Sequence, residues 1–178
     1  MRKNFVSNLL AIVGLALLSI GSSEVQAMDG VTIGLYRPST NTFYLRNSNT
    51  YGDPDLVIPF GAPDDDLPLA GDWDGNGTTT IGLYRTSTGC FYLRNSNMVG
   101  PGADIIDNSL TSGGPQWVPL AGDWDGNGAT TIGLYNTISI SFWLRSQFYT
   151  GSDNDLFIQF FGAPQDLPVV GNWDGLSW

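Results

Sequence analysis

Two loops of this sequence carry side-chain oxygens at the alternate spacing that a hard cation requires. In the run Gly71-Asp72-Trp73-Asp74-Gly75-Asn76-Gly77, residues Asp72, Asp74 and Asn76 occupy alternate positions, and Asp123, Asp125 and Asn127 repeat them in the same setting. Calcium takes roughly 6–8 oxygens at about 2.3–2.6 Å, and alternate residues of a tight loop project theirs toward one centre. With Asp72 at loop position one, Thr78 adds its backbone carbonyl at position seven, and Ala129 does so in the second copy. Gly75 and Gly77 permit the sharp curvature. The same residues have a purely structural reading, in which Asp and Asn side chains accept hydrogen bonds from their own backbone and close a turn without metal. A third copy, with Asn172 and Asp174, is poorer in ligands.

Other chemistry has little to work with. The chain contains no histidine, which removes the usual nucleophile triads and the commonest zinc sites. Cys90 is the only cysteine, so an intrachain disulfide is excluded; Thr42 and Ser141 at its place in the other copies favour a small strand residue over an intermolecular bridge. Paired aspartates leave a glycosidase-like acid and base compatible with composition. They fall mostly in repeated turns, however, and the expectation is a protein that is not an enzyme. Tyr44, Tyr92 and Trp143 each stand two residues before an arginine, Arg46, Arg94 or Arg145. Such a pair can stack on a sugar or cation; the alternative is packing between sheets, with the arginine over a neighbouring ring or paired with an aspartate. Trp73, Trp124 and Trp173 invite the same packing reading.

These residues are positioned by an internal repeat. The run from Pro68 to Leu83 returns from Pro119 to Leu134 with only Ala129 changed, a period of 51 residues measured from Asp72 to Asp123. Thr32-Ile33-Gly34-Leu35-Tyr36-Arg37 likewise matches 80–85 and 131–136, and Phe43-Tyr44-Leu45-Arg46 matches 91–94 and 142–145. Each unit reads as four short strands, rich in β-branched and aromatic residues and separated by Gly, Asn, Asp, Pro and Ser clusters. In the second unit they fall at 67–73, 79–85, 90–95 and, more weakly, 104–108. Alternation puts Ile81 and Leu83 on one face and Gly82 with Tyr84 on the other; both faces are apolar, so each sheet is expected to pack on two sides. The fold class is therefore all-β, with three four-stranded antiparallel, propeller-like units near 29–66, 67–117 and 118–166. The chain enters at the second strand of its first unit and carries a spare first strand at 167–175. That spare strand is expected to complete the N-terminal unit, within one chain or between chains. A piece of a longer protein would show the same offset.

Residues 1–27 read as a signal peptide: Arg2 and Lys3, an apolar run to Ile20, and Val25-Gln26-Ala27 as a small-residue cleavage site. The apolar run is shorter than the roughly 20 residues a bilayer span needs. The chain is acidic, with a net charge of −10, and beyond residue 24 every acid is Asp and every base Arg. Asp favours turns, whereas Glu and Lys favour helices. Nucleic acid and anionic membranes are poor partners for this charge; cations, neutral glycans and basic proteins suit it better.

With these residues laid out, the unit resembles the FG-GAP or VCBS-type repeat of bacterial secreted proteins, related to the calcium-binding blades of the integrin α-subunit propeller. The likeness rests on Phe60-Gly61 and Phe161-Gly162, on the loops 71–77 and 122–128, and on Ile81-Gly82-Leu83-Tyr84-Arg85 in the strand that follows. It implies calcium in the loops, with position nine a further ligand. Thr80 and Thr131 stand there where the family usually has Asp, which implies weak binding. It also implies a secreted or cell-surface module for extracellular binding or adhesion, with protein or glycan contacts in the variable loops 49–55, 97–116 and 147–155. Two further readings are a self-assembling structural subunit joined by strand complementation, hence a homo-oligomer, and an accessory piece of a larger secreted enzyme.

Overall fold

The computed structural model describes residues 30–62, 66–110, 113–148, 155–159 and 162–173. The targeting segment expected over 1–27 lies outside them. Every element below belongs to the compact unit Val31–Trp178.

Each repeat forms one antiparallel sheet whose strands follow chain order. Gly34–Arg37 (β1), Thr42–Leu45 (β2) and Leu56–Pro59 (β3) make the first; Asp66–Gly71 (β4), Thr80–Arg85 (β5), Cys90–Leu93 (β6) and Ile105–Asp107 (β7) make the second. Trp117–Gly122 (β8), Thr131–Asn136 (β9), Ser141–Leu144 (β10) and Leu156–Gln159 (β11) make the third. β-Branched and aromatic residues fill the strands because a pleated, half-buried surface accommodates them best. The turn from the second to the third strand of each unit needs a left-handed residue at one place, supplied by Asn41, Gly89 and Ile140 at φ 49°, 72° and 55°.

The sheets stack face to face, and the expected alternation of β5 decides how. Ile81 and Leu83 pack with Phe43 and Ile58 of the first sheet, while Tyr84 joins Phe91, Leu93, Ile132 and Leu134 between the second and third. All of 80–84 is buried, so the central sheet is covered on both sides. One aromatic pair recurs on the forward face of every unit with nearly the same geometry. Tyr36–Phe43, Tyr84–Phe91 and Tyr135–Phe142 have ring centroids 4.7, 4.8 and 4.6 Å apart. In the third unit this face, with Leu120, Leu144 and Ile158, meets no further sheet among the described residues.

The first sheet departs from expectation in having three strands instead of four, with β1 at its edge. Residues 167–173 form no strand and join no sheet. The physical reason is the stack itself: the core clusters join the first sheet to the second and the second to the third, and none joins the third to the first. No sheet closes into a barrel or ring among the described residues. No helix among them is long and apolar enough to cross a membrane.

Candidate functional site

The aspartate loops are held by their own hydrogen bonds. Asp72 accepts from the backbone N–H of Asn76 at 3.0 Å and of Gly77 at 2.7 Å, one on each carboxylate oxygen. Asp74 accepts from the Asn76 backbone and side chain, and Asn76 Oδ1 accepts from Thr78 N–H at 2.8 Å. The second loop repeats the pattern: Asp123 accepts from Asn127 and Gly128, Asp125 from Asn127, and Asn127 from Ala129. These are the turn-closing bonds of the structural reading, and they engage both oxygens of the first carboxylate. The position-nine threonines lie in strands β5 and β9, where the Thr80 hydroxyl donates to the Gly71 carbonyl and that of Thr131 to the carbonyls of Gly122 and Arg145. Among the described residues no three His, Cys, Asp or Glu side chains are grouped as a metal would need. Each loop thus offers a cation two carboxylates and one amide oxygen, all already hydrogen-bonded.

The tryptophans of these loops are packing residues. Trp73 folds back over Gly71 and Gly82 and donates its indole N–H to the Ile81 carbonyl at 3.3 Å. A Cβ on Gly82 would come within 3.0 Å of the Trp73 ring, so the strand needs glycine there for space. Trp124 sits over Gly122 and Gly133 in the same way and donates to the Ile132 carbonyl at 3.1 Å. The third member, Trp173, lies against Gly171 and is 78% exposed, against 3% for Trp73.

Two arginine positions do different work, one filled in all three repeats and the other in the first two. Arg46, Arg94 and Arg145 pair with Asp55, Asp104 and Asp155 at 3.4, 3.7 and 3.0 Å and anchor the loop between the third and fourth strands. These aspartates were not singled out from sequence, although they recur once per repeat, each just before the last strand. The stacking on Tyr44 and Tyr92 comes instead from strand-end arginines: Arg37 lies 4.4 Å from the Tyr44 ring centroid and Arg85 4.6 Å from that of Tyr92. Arg85 also makes a two-pronged ion pair with buried Asp66 of β4, at 2.9 and 3.1 Å. Arg37 donates to the Tyr44 hydroxyl at 2.7 Å, and no carboxylate of the described residues pairs with it. In the third unit Asn136 replaces the arginine, and Trp117 packs edge-on against Trp143, their centroids 6.3 Å apart.

The exposed apolar surface gathers on the rear face of the first sheet. Ile33 and Leu35 are 63% and 75% exposed, whereas their repeat equivalents Ile81 and Leu83 are 2% and 0%. With Tyr44, Arg46 and Tyr51 they line an open concavity of about 640 Å³. The 49–55 loop forms its rim, held by Arg46 hydrogen bonds to Ser48, Thr50 and the Asp53 carbonyl. Cys90 is a free thiol at the start of β6. Compared with protein-family models, curated proteins and solved structures, the chain matches none.

Proposed function

We propose that the chain is a secreted, non-catalytic β-repeat module of the FG-GAP or VCBS type that works by docking. An extracellular protein, a glycan or another copy of the chain would occupy the rear face and free edge of its first sheet. One observation carries this reading: Ile33 and Leu35 are exposed at the positions where the next repeat buries Ile81 and Leu83. Apolar surface that the repeat itself buries elsewhere is surface built to be covered. In this reading the fourth strand of the first sheet comes from 167–175, within one chain or from a neighbour. Secretion is supported by the charge, apolar run and small-residue site of 1–27.

The aspartate loops would hold calcium as a secondary feature. Their alternate oxygens support it, and their two carboxylates per loop favour affinities near the 10⁻⁴–10⁻³ M of extracellular modules, to order of magnitude.

Surface plasmon resonance tests the docking reading, with the mature chain immobilised and a panel of neutral oligosaccharides and the chain itself as analytes. Retention of either that Leu35→Asp abolishes, while Thr88→Asp in the exposed turn between β5 and β6 does not, supports it. Equal retention by both variants sinks it, and absence of retention rules out the glycan and the second copy as occupants.

A further inference from the structure

We infer that the occupant of the first sheet is a second copy of this chain, joined head to tail, with 166–173 of one copy lying along β1 of the next as β4 lies along β5. The inference rests on the docking reading above and adds a partner, a register and three specific contacts.

The donated segment is poised as its internal counterpart is. Before β4 the chain turns at Gly61, φ 125°, and Asp66 accepts from Ala62 N–H at 2.8 Å. Before 167–173 it turns at Gly162, φ 115°, and Asp166 accepts from Ala163 N–H at 2.7 Å. Gln165 N–H donates to the Thr137 carbonyl, which anchors this turn to the third sheet. Beyond the anchor, Leu167 and Val169 are exposed and unpaired with any strand of the described residues.

The receiving edge is equally specific. The β4–β5 register pairs Asp66 with Arg85, Leu69 with Gly82 and Gly71 with Thr80. Carried over by repeat position, it pairs Asp166 with Arg37, Val169 with Gly34 and Gly171 with Thr32. Arg37 already lies over Tyr44 as Arg85 lies over Tyr92, and it lacks only the carboxylate that Asp66 gives Arg85. Trp173 would seat over Gly34 and donate to the Ile33 carbonyl, as Trp73 does over Gly82 and to Ile81. The Ile33 carbonyl already accepts from Arg46 N–H, as that of Ile81 accepts from Arg94 N–H. Antiparallel alternation therefore turns the backbone groups of Gly34 and Tyr36 to the open edge.

The faces match as well. Ile81 and Leu83 are covered by Phe43 and Ile58, with Tyr36 packed alongside. The third sheet carries Tyr135, Phe142 and Ile158 at those repeat positions, on its forward face. Stacked on Ile33 and Leu35 of the next copy, they would repeat the internal junction. The contact is heterologous, so it builds either a closed ring or a fibre.

Sedimentation of the mature chain in a Cys90→Ser background, across a concentration series, tests the inference. Wild type forms oligomers of either kind, and Arg37→Asp and Asp166→Arg each weaken association roughly 30-fold or more. The double variant, which restores an opposite-charge pair with its polarity exchanged, associates again, and so shows that the single variants were folded. A monomeric wild type, or oligomers indifferent to both single substitutions, overturns it. Retention of an oligosaccharide by a chain that stays monomeric would overturn this inference and leave the docking reading standing.

Discussion

Leu35, Leu83 and Leu134 occupy one repeat position in three environments, and replacing each by alanine measures what stacking contributes. Leu83 and Leu134 are 0% and 1% exposed, each closed in by a neighbouring sheet, whereas Leu35 is open to solvent. Removing a fully buried leucine side chain loses its transfer free energy and leaves a cavity, together about 2–5 kcal/mol. At an exposed site the loss is within about 0.5 kcal/mol. In a domain of this size each kcal/mol moves the melting temperature by about 2–4 °C. Leu83→Ala and Leu134→Ala should therefore melt about 4–20 °C below wild type, and Leu35→Ala within about 2 °C of it. Thermal and urea melts in dilute solution, where association does not contribute, read this directly. Three equal destabilisations would mean that the first sheet is covered as fully as the others within one chain, and that the sheets do not stack in the order first, second, third with an open face on the first.

Four other outcomes follow from the same geometry. Arg85→Met should cost about 3 kcal/mol in urea unfolding, because it strands the buried Asp66 carboxylate, while Arg37→Met in dilute monomer should cost little; equal costs would contradict the open edge. Burial pushes the Tyr84 hydroxyl up to about 12. The folded chain holds that proton more tightly than the unfolded one, so stability present below pH 10 should fall by up to roughly 2–3 kcal/mol between pH 10 and 12. Tyr84→Phe should flatten that decline, and an unchanged urea midpoint across this range in wild type would refute the assignment. Gly82→Ala should destabilise by about 1–3 kcal/mol, since the added methyl meets Leu93 at 2.7 Å and the Trp73 ring; a neutral melt would show that the indole is not seated there. Millimolar calcium should raise the melting temperature and chelator reverse it, with about 2.7 kcal/mol gained at 100 times the dissociation constant; identical melts would leave the aspartate loops as turns.

The second repeat shows how much was legible beforehand. Its strand expected at 79–85 is β5, Thr80–Arg85, and its alternation correctly divided Ile81 and Leu83 from Tyr84. What separates the two apolar faces is Gly82, which lies under the Trp73 ring and Leu93, where a one-residue slip would place Ile81 or Leu83. The strand expected over 167–175 reads just as well as the one at 67–73, yet its described part joins no sheet of the described residues, because a strand exists only where an edge receives it. That Arg46, Arg94 and Arg145 pair with aspartates was one of the readings, but the partners Asp55, Asp104 and Asp155 were not named, for a different reason. Each depends on a loop returning to its own sheet, and only a search for acids recurring once per repeat would have found them. The tryptophan seats were half-legible: the spacing of Trp73 from Gly82 is visible, but the fold-back that brings them together is not.

The exchange of Asp66–Arg85 for Trp117 beside Asn136 would make the near-identical repeats distinguishable to one another during folding. A chain whose β4 and β8 differ in few other residues risks threading either one into the wrong sheet. An indole arriving opposite Arg85, or a carboxylate opposite Asn136, would lose its partner at the moment of pairing. The mispaired hairpin would therefore come apart faster than the correct one, and the ends of the strands would sort the two sheets.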